Sequence, residues 1–574
     1  MSPNSFLVRR GPHLLLLILV AGLFLAGASV PYRVDTDTGF QLHPIQQWLR
    51  GEVGNPLVHR LPDPQDLSRD ALVWSSWWPP GFPLVYTPLA AAGLRLANSL
   101  RATSFLLFLA GSLGWLQLAG RLALPLGIRV LYALSLAGYA ATIGGAASLA
   151  TTDILAYAAG PWLVLLTLRA VRRPAPLFGA GLAFGLTYWV RYSLFLTAVP
   201  LLAWLAFQVI REVEPGCIRR LAALGAGFAV PVLALFLLNL SQSRDLTETA
   251  TGARSVWDKD ERTAQPLFLA AGLAGAPGLG LFQNDLWMEH LTFFSDDRIP
   301  GLRGLDDPAR LAAKCLLGMA ATLALAWGVA RTYRRHPGPE LALALWTALG
   351  YYLLLTIVSA LVGYNYLANE VRFAAGFLPF LFPFVLSGWL EAAGRRPLLG
   401  RLAGFLLLIV FFLAPLAFAV ANFARNEIWD RRAAGQPSET GLFVPELSSR
   451  SIPQVRAAIA GTLRSPRDLV ILAGPLGWGS GFMMWLEIPR RTLPVGTFFA
   501  PLGARYLDAA DLRGTGTLRS SQRLRVVLVI SRSTLEAGWL PRLQSRFPQA
   551  RGWRVAAVPP DAAVEIRYAD LEVP

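Results

Sequence analysis

The sequence predicts a mainly α-helical membrane protein: a polytopic transmembrane helical bundle followed by a small extracytoplasmic α/β domain. Of its 574 residues, 54% are hydrophobic and only 15% are charged, and the mean hydropathy is +0.45. Apolar runs of bilayer-spanning length recur through residues 1–424. In residues 425–574 such runs stop and short β-type segments replace them, so we place a domain boundary at residue 424.

The apolar runs define the bundle. A transmembrane helix needs about 20 apolar residues, and this length predicts about eleven spans, of which the fifth and sixth are short. The spans are expected near 13–30, 103–120, 130–149, 154–170, 176–190, 194–210, 221–240, 309–330, 340–361, 373–390 and 402–424.

Arginines set the expected orientation of the bundle. Arg9 and Arg10 precede the first span, and every second loop after it is short and rich in arginine. The positive-inside rule assigns these loops and the N-terminus to the cytoplasm. Residues 31–102 and 241–308 and the domain from residue 425 then lie outside. This topology also accounts for the net charge of +16, so the basic composition does not indicate a nucleic-acid partner.

The C-terminal 425–574 region is expected to form a small α/β domain. Short β-type runs occur at Asp468–Ala473 and Arg525–Ile530, and two further strands are expected at Arg554–Val558 and Ala563–Tyr568. The segment Ser533–Phe547 has the pattern of an amphipathic helix. The region has no nucleophile elbow, P-loop or dinucleotide-binding fingerprint.

The first outer loop carries two acids close to the membrane. Asp35 and Asp37 follow the first span directly and precede an expected surface helix at Thr38–Arg50. Capping of that helix explains one of the acids. It does not explain two charges near the bilayer edge, where an unpaired charge is costly. The sequence therefore marks both acids as candidate functional residues.

Three more charged residues are expected near the outer membrane face. Asp153 precedes the fourth span, where it is either a helix cap or the partner of a group in a cavity. Arg191 and Arg372 lie outside in the predicted topology and depart from the positive-inside pattern. Glu370 is one possible partner of Arg372. The functional alternative is a lipid-linked phosphate, which arginine binds through two hydrogen bonds.

The order of these motifs resembles the GT-C superfamily of integral-membrane glycosyltransferases. Within it, the chain is similar to the bacterial aminoarabinose-transferase and protein-O-mannosyltransferase-like group. The resemblance rests on the following stretches: VDTDTGFQLHPIQQWLRGE with Asp37 and Gly51, WWPPGFPLVYTP with Pro79, Pro80 and Tyr86, TTDILAY with Asp153, and NEVRFAAGFLPF with Glu370, Arg372 and Pro379. The chain departs from the family at Thr38, where the family has Glu, and at Phe373, where it has Tyr.

The resemblance implies sugar transfer from a polyprenyl-phosphate-linked donor to an acceptor hydroxyl or phosphate on the outer face. Asp37 or Asp35 would be the catalytic acid, and Arg191 and Arg372 would bind the phosphate. Asp153 would contact sugar, acceptor or a divalent cation.

Glu370, Trp78, Pro80 and Tyr86 would support the site, and residues 241–308 would form a lid. The implied location is a bacterial inner membrane. The implied partners are the lipid bilayer, the lipid-linked sugar and a glycan, lipid or protein acceptor.

Two other functions fit parts of the pattern. A transporter or flippase of a lipid-linked sugar would also use outer arginines and intramembrane acids, but inverted repeats are expected there and none is found in the sequence. A non-catalytic scaffold that presents the C-terminal domain would tolerate changes at Asp35, Asp37 and Asp153.

Overall fold

The computed structural model of the chain describes residues 3–28, 32–33, 45, 49, 57–60, 71–74, 79–122, 124–143, 152–172, 177–211, 216–240, 323, 326–335, 338–362, 374–394, 398, 402, 442–443, 452–464, 468–474, 492–496, 524–536, 538, 540–545 and 547–571. Helices dominate these residues, and a small sheet lies in the C-terminal region. The predicted mainly α-helical class with a C-terminal α/β region is confirmed.

Long apolar helices occupy the predicted spans. Their bounds are α1 (Pro3–Ala28), α2 (Gly81–Ala91), α3 (Leu96–Arg121), α4 (Leu126–Ile143), α5 (Thr152–Arg172), α6 (Leu177–Val190), α7 (Tyr192–Arg211), α8 (Cys217–Leu240), α9 (Pro339–Val362) and α10 (Leu378–Gly394). All of them except α2 overlap a predicted span. The span predicted at 402–424 lies outside the described residues except for residue 402, and the one at 309–330 is described only in part.

Several of these helices meet the criteria for a membrane span. Within the described ranges, four helical segments are long and apolar enough to cross a bilayer: Leu96–Arg121, Asp153–Ala170, Tyr192–Arg211 and Cys217–Leu240. Shorter apolar segments lie in α1, α4, α6, α9 and α10.

Packing divides the chain into two compact units. The first comprises residues 1–29, 101–255 and 259–424, and the second comprises residues 30–100, 256–258 and 425–574. Residues 30–100 therefore group with the C-terminal region. The domain boundary at residue 424 stays a prediction.

Glycines allow the helices of the first unit to approach closely. A Cβ at Gly181 of α6 would overlap the carbonyl oxygen of Leu224 in α8, and one at Gly185 would overlap that of Phe228. Positions that rise along α6 thus meet positions that rise along α8, so these two helices run in the same direction. Between helices in lipid there is no hydrophobic driving force, so close van der Waals packing stabilises their association, and small residues permit that close approach.

Polar side chains join other helix pairs of the first unit. The indole Nε1 of Trp346 in α9 donates to the carbonyl oxygen of Pro200 in α7 at 2.9 Å. The Tyr132 hydroxyl in α4 donates to the carbonyl oxygen of Pro379 in α10 at 2.8 Å. Both bonds cross between helices that are far apart in sequence, and they fix the relative height of the paired helices.

The second unit contains short elements from residues 30–100. Strand β1 (Tyr32–Arg33) pairs in parallel with β4 (Leu442–Phe443) of the C-terminal region. Strands β2 (Leu57–Arg60) and β3 (Ala71–Trp74) form an antiparallel pair that the sequence reading did not predict. The surface helix expected at Thr38–Arg50 lies outside the described residues except for residues 45 and 49, which are helical.

The C-terminal region of the second unit contains a five-stranded sheet. Its strands are β5 (Leu469–Gly474), β6 (Thr492–Gly496), β7 (Leu524–Ser531), β8 (Ala550–Ala556) and β9 (Val564–Leu571). The spatial order is β6-β5-β7-β9-β8. The first three of these are parallel, and β9 is antiparallel to both of its neighbours. The four predicted strands are confirmed, whereas β6 was not predicted.

The helices beside this sheet differ from the prediction. Helix α11 (Ile452–Thr462) was not predicted. The single helix predicted at Ser533–Phe547 is wrong, because two short helices occur there, α12 (Arg532–Glu536) and α13 (Leu540–Gln544). Gly538 between them has φ +75°. A helix cannot continue through this left-handed conformation, which glycine adopts without steric cost.

A buried arginine organises one end of the sheet. Arg525 of β7 donates from Nε to Asp570 Oδ1 at 2.7 Å and from Nη2 to Oδ2 at 3.1 Å. Its Nη1 donates to the carbonyl oxygen of Thr462 at 2.7 Å, and its guanidinium lies over the Tyr568 ring. The hydrogen bonds from Arg525 lower the pKa of the Asp570 carboxyl below its ordinary value.

Candidate functional site

Asp153 is the buried acid of the helix bundle. It lies in the first turn of α5 and its side chain is only 1% exposed. Arg191 Nη2 lies 2.6 Å from Asp153 Oδ1, which is an ion-pair distance. Neither carboxylate oxygen accepts a hydrogen bond of ordinary geometry from a described residue. The carboxylate therefore depends on the charge of Arg191 and on the positive end of the α5 dipole.

Arg191 is the single residue between α6 and α7. Its backbone N–H donates to Thr187 at 3.0 Å and closes α6, and its carbonyl accepts from Phe195 at 3.0 Å and opens α7. The side-chain Nε donates to Ser193 Oγ at 2.7 Å. With its side chain 12% exposed, Arg191 is held at a corner of the bundle by Ser193 on one side and Asp153 on the other.

Two tyrosines lie near the ion pair. Asp153 interacts electrostatically with Tyr139 of α4 and with Tyr351 of α9, and Arg191 interacts with Tyr351. Tyr157, one turn after Asp153, shares a 2.8 Å hydrogen bond with Ser112, and its ring lies 6.1 Å from that of Tyr139. The pair is thus bordered by side chains that combine an apolar ring with a hydrogen-bonding tip.

The ion pair provides the anionic partner that was expected for Arg191. An arginine near membrane depth requires an anion, and Asp153 supplies one from within the bundle. The placement of Asp153 in the first helical turn also agrees with its interpretation as a helix-terminal acid. Its side chain does more than stabilise the helix end, because it neutralises a charge on another helix corner.

Two predicted supporting residues lie in the packed interior of the second unit. Tyr86 of α2 is fully buried and its ring stacks on Phe82 with centroids 4.3 Å apart. The carbonyl oxygen of Tyr86 accepts a hydrogen bond from Ser99 Oγ at 3.2 Å. Pro80 is also buried, directly before α2. Both residues are therefore packing residues in this structure.

The remaining predicted residues are not placed. Asp35, Asp37, Trp78, Glu370 and Arg372 lie outside the described residues, so their roles stay predictions. The same holds for the lid expected at 241–308.

A divalent cation was one of the candidate partners of Asp153. Among the residues that are described, no group of three or more His, Cys, Asp or Glu could hold a metal ion. Asp153 was the residue expected to contact such a cation, and among the described residues its ionic partner is Arg191.

Sequence reasoning missed three residues of the site. Tyr139 and Tyr351 lie in apolar runs, where a tyrosine is ordinarily a packing residue, and no pattern distinguishes them. Ser193 follows Arg191 by two positions but carries no motif of its own. The pairing of Asp153 with Arg191 was not predicted, although both residues were expected at outer ends of neighbouring spans.

Two solved structures are similar to the whole chain. Both are crystal structures of ArnT from Cupriavidus metallidurans, one bound to undecaprenyl phosphate and one in the apo state. The first has 15% identity and a TM-score of 0.40 and covers 97% of this chain and 98% of its own. The second has 15% identity and a TM-score of 0.39 and covers 97% of each chain.

No protein-family model matches the chain, and no curated protein matches it.

Proposed function

We propose that the protein is a membrane glycosyltransferase that moves a sugar from a polyprenyl-phosphate carrier to an acceptor hydroxyl or phosphate. The observation that carries the proposal is the buried Asp153–Arg191 pair, bordered by Tyr139 and Tyr351 inside a bundle of apolar helices. A charged pair inside such a bundle is costly, and this cost is ordinarily offset by function.

Arg191 is the proposed phosphate-binding residue. Its guanidinium is the more exposed member of the pair, and it offers forked donors that match phosphate oxygens. Departure of the carrier phosphate places negative charge on its oxygens, and a fixed cation stabilises that charge in the transition state. Arg372 is the second proposed phosphate-binding residue, with Glu370 as its partner.

The proposed reaction exchanges one bond at the sugar. The bond between the anomeric carbon and the phosphate oxygen breaks, and the phosphate leaves with the electron pair. The acceptor oxygen forms the new bond to that carbon. Asp37, or Asp35, takes the proton of an acceptor hydroxyl, an assistance that is typically worth about 10²–10⁴-fold in rate.

The proposal includes a location and an orientation. We place the protein in a bacterial inner membrane, with the N-terminus in the cytoplasm and the site and C-terminal region on the other side. A reporter fused after residue 430 tests this orientation. Extracytoplasmic reporter activity is expected, and a cytoplasmic signal contradicts the assignment of Arg191 to the outer side.

Sugar transfer is tested with the purified protein in lipid nanodiscs. Radiolabelled sugars on polyprenyl phosphates are supplied singly, with a membrane extract as the source of acceptors. Undecaprenyl phosphate is the carrier to use first, because a solved ArnT structure holds it. We expect label to leave the carrier in a reaction that Arg191→Gln abolishes.

A matched arginine change serves as the control for this test. Arg567 of β9 pairs with Glu565 in the C-terminal sheet, so Arg567→Gln removes an arginine from a different ion pair. Transfer is expected to survive this change. Equal activity of the two variants, or movement of the intact donor across the bilayer without transfer, contradicts the proposal, and the second result indicates a transporter.

A further inference from the structure

The two members of the buried pair differ in access to solvent. The Arg191 side chain is 12% exposed, whereas that of Asp153 is 1% exposed. An anion that enters the site therefore meets the guanidinium before it meets the carboxylate. Any anion that binds Arg191 also approaches the negative charge of Asp153, which lies 2.6 Å from the guanidinium.

This geometry puts a phosphate and a carboxylate in competition for one cation. Two like charges this close repel much more strongly inside a protein than in water, because the effective dielectric constant is lower there. Among the described residues, Arg191 is the ionic partner of the carboxylate, and neither carboxylate oxygen accepts a well-formed hydrogen bond. It is thus the partner that an entering phosphate most easily replaces.

We propose that Asp153 is the resident counter-ion of Arg191 and that the carrier phosphate takes its place when the donor binds. This inference rests on the proposed function, because it concerns the same phosphate. Asp153 is then a positioning residue: it keeps the guanidinium oriented and neutralised while the site holds no donor. It also makes donor binding weaker than it would be at an unpaired arginine.

Neighbouring side chains carry hydrogen-bond donors that could stabilise the displaced carboxylate. Tyr139 and Tyr351 both interact electrostatically with Asp153, and each carries a hydroxyl that can donate. Ser193 holds the Arg191 Nε at 2.7 Å, so the guanidinium keeps one anchor when Asp153 leaves it. We therefore expect the exchange to involve a rotation of the Asp153 side chain.

The affinity of Asp153→Asn for undecaprenyl phosphate, compared with that of the wild type, tests this exchange. Asp153→Asn removes the competing charge and keeps the size of the side chain. Binding of undecaprenyl phosphate to the purified protein in detergent should then tighten, by about 10-fold, which lies within the usual range of coupling between two sites. Arg191→Gln should weaken binding of undecaprenyl phosphate and leave binding of undecaprenol, which lacks the phosphate, unchanged.

Two further ligands distinguish the contribution of the lipid chain to binding from that of the phosphate. Undecaprenol has the same chain without the phosphate, and its binding should be the same in the wild type and in Asp153→Asn. Inorganic phosphate should compete better against undecaprenyl phosphate in Asp153→Asn than in the wild type. If undecaprenol binding tightens equally, the change acts through the lipid chain, and the proposal is overturned.

A double variant distinguishes charge competition from a general structural effect. In an Arg191→Gln background, Asp153→Asn should leave undecaprenyl phosphate binding unchanged, because the cation that pairs with Asp153 is gone. Ser193→Ala keeps the charge of Asp153 and should not tighten binding. Thermal unfolding in the same detergent verifies that each variant is folded, and the isosteric Asp153→Asn can be replaced by Asp153→Ser if it is not.

The results separate this inference from the proposed function. Sugar transfer by the wild type together with unchanged or weaker binding in a folded Asp153→Asn overturns the inference alone. Tighter binding without any sugar transfer supports the exchange and contradicts the transferase proposal.

Discussion

Arg191 Nη2 lies 2.6 Å from Asp153 Oδ1, and this contact joins the first turn of α5 to the corner between α6 and α7. Two charges that are separated by 38 positions in the chain, from 153 to 191, neutralise each other inside an apolar bundle. The contact therefore has a structural consequence and a functional one, and each can be measured separately.

The structural consequence concerns stability. Arg191→Gln leaves Asp153 buried without its counter-charge, a change that typically costs about 3–5 kcal/mol. Adding Asp153→Asn removes the stranded charge, so the double variant should be more stable than Arg191→Gln alone. Thermal unfolding of the four proteins of this cycle in one detergent gives the comparison. Additive losses contradict a direct pairing of the two side chains.

The tyrosines beside the pair should act through their hydroxyl groups. Tyr139→Phe and Tyr351→Phe keep the rings packed and remove a donor near Asp153. We expect each to reduce sugar transfer by about 10-fold, which is less than the roughly 10²–10⁴-fold typical of a group that transfers the proton, because these hydroxyls act through Asp153. Tyr132→Phe is the matched control, since it loses only the hydrogen bond to Pro379 and about 1 kcal/mol of stability. Equal transfer rates in all three variants contradict a role for the two hydroxyls.

The close contact of α6 and α8 predicts a position-dependent effect of added methyl groups. A Cβ at Gly181 would overlap the Leu224 carbonyl oxygen and lie 2.8 Å from the Phe228 nitrogen, so Gly181→Ala must push the helices apart. We expect a loss of about 1–3 kcal/mol, as for overpacked cores.

Gly225, on the same helix pair, supplies the control. Nothing lies within 4 Å of a Cβ at this position, so Gly225→Ala should be neutral or slightly stabilising. Thermal unfolding in detergent compares the two variants, and equal behaviour contradicts the packing.

The C-terminal sheet should lose stability in acid. The folded pKa of Asp570 lies below its ordinary value of 3.8 because Arg525 donates hydrogen bonds to the charged carboxylate. The unfolded chain therefore binds a proton first as the pH falls, and the stabilisation that is full above pH 3.8 is lost through the folded pKa.

Hydrogen exchange in β7 and β9 as a function of pH measures this loss. Asp570→Asn should remove its pH dependence and leave a lower, flatter protection. An unchanged acid profile in this variant would assign the loss to other carboxylates.

Much of the fold follows from patterns that the chain carries locally. The bilayer length of the apolar runs predicts the helices, and the continuous hydrophobic runs of β5 and β7 predict two central strands because both of their faces are covered. Strand β6 was missed since it is short, contains Pro494 and lies at the sheet edge. The break at Gly538 was missed because the helical periodicity on both sides conceals one residue of left-handed backbone.

Individual charged residues of the site could be predicted from the sequence, but the contact between them could not. Asp153 and Arg191 stand out because each is a charge in an apolar segment, which is rare and informative. Their contact depends on how α5 packs beside α7, and no local pattern encodes that. Tyr139 and Tyr351 acquire their role only from this packing, so their sequence context resembles that of core aromatics.

The central claim is that the protein transfers a sugar with an acid from the loop after α1. The most direct measurement is transfer of labelled sugar from a polyprenyl-phosphate donor by the wild type, Asp35→Asn, Asp37→Asn and their combination, all in nanodiscs. We expect transfer by the wild type, a loss of at least about 100-fold in one single variant and no transfer in the combination. Transfer that survives both single changes and their combination contradicts the claim.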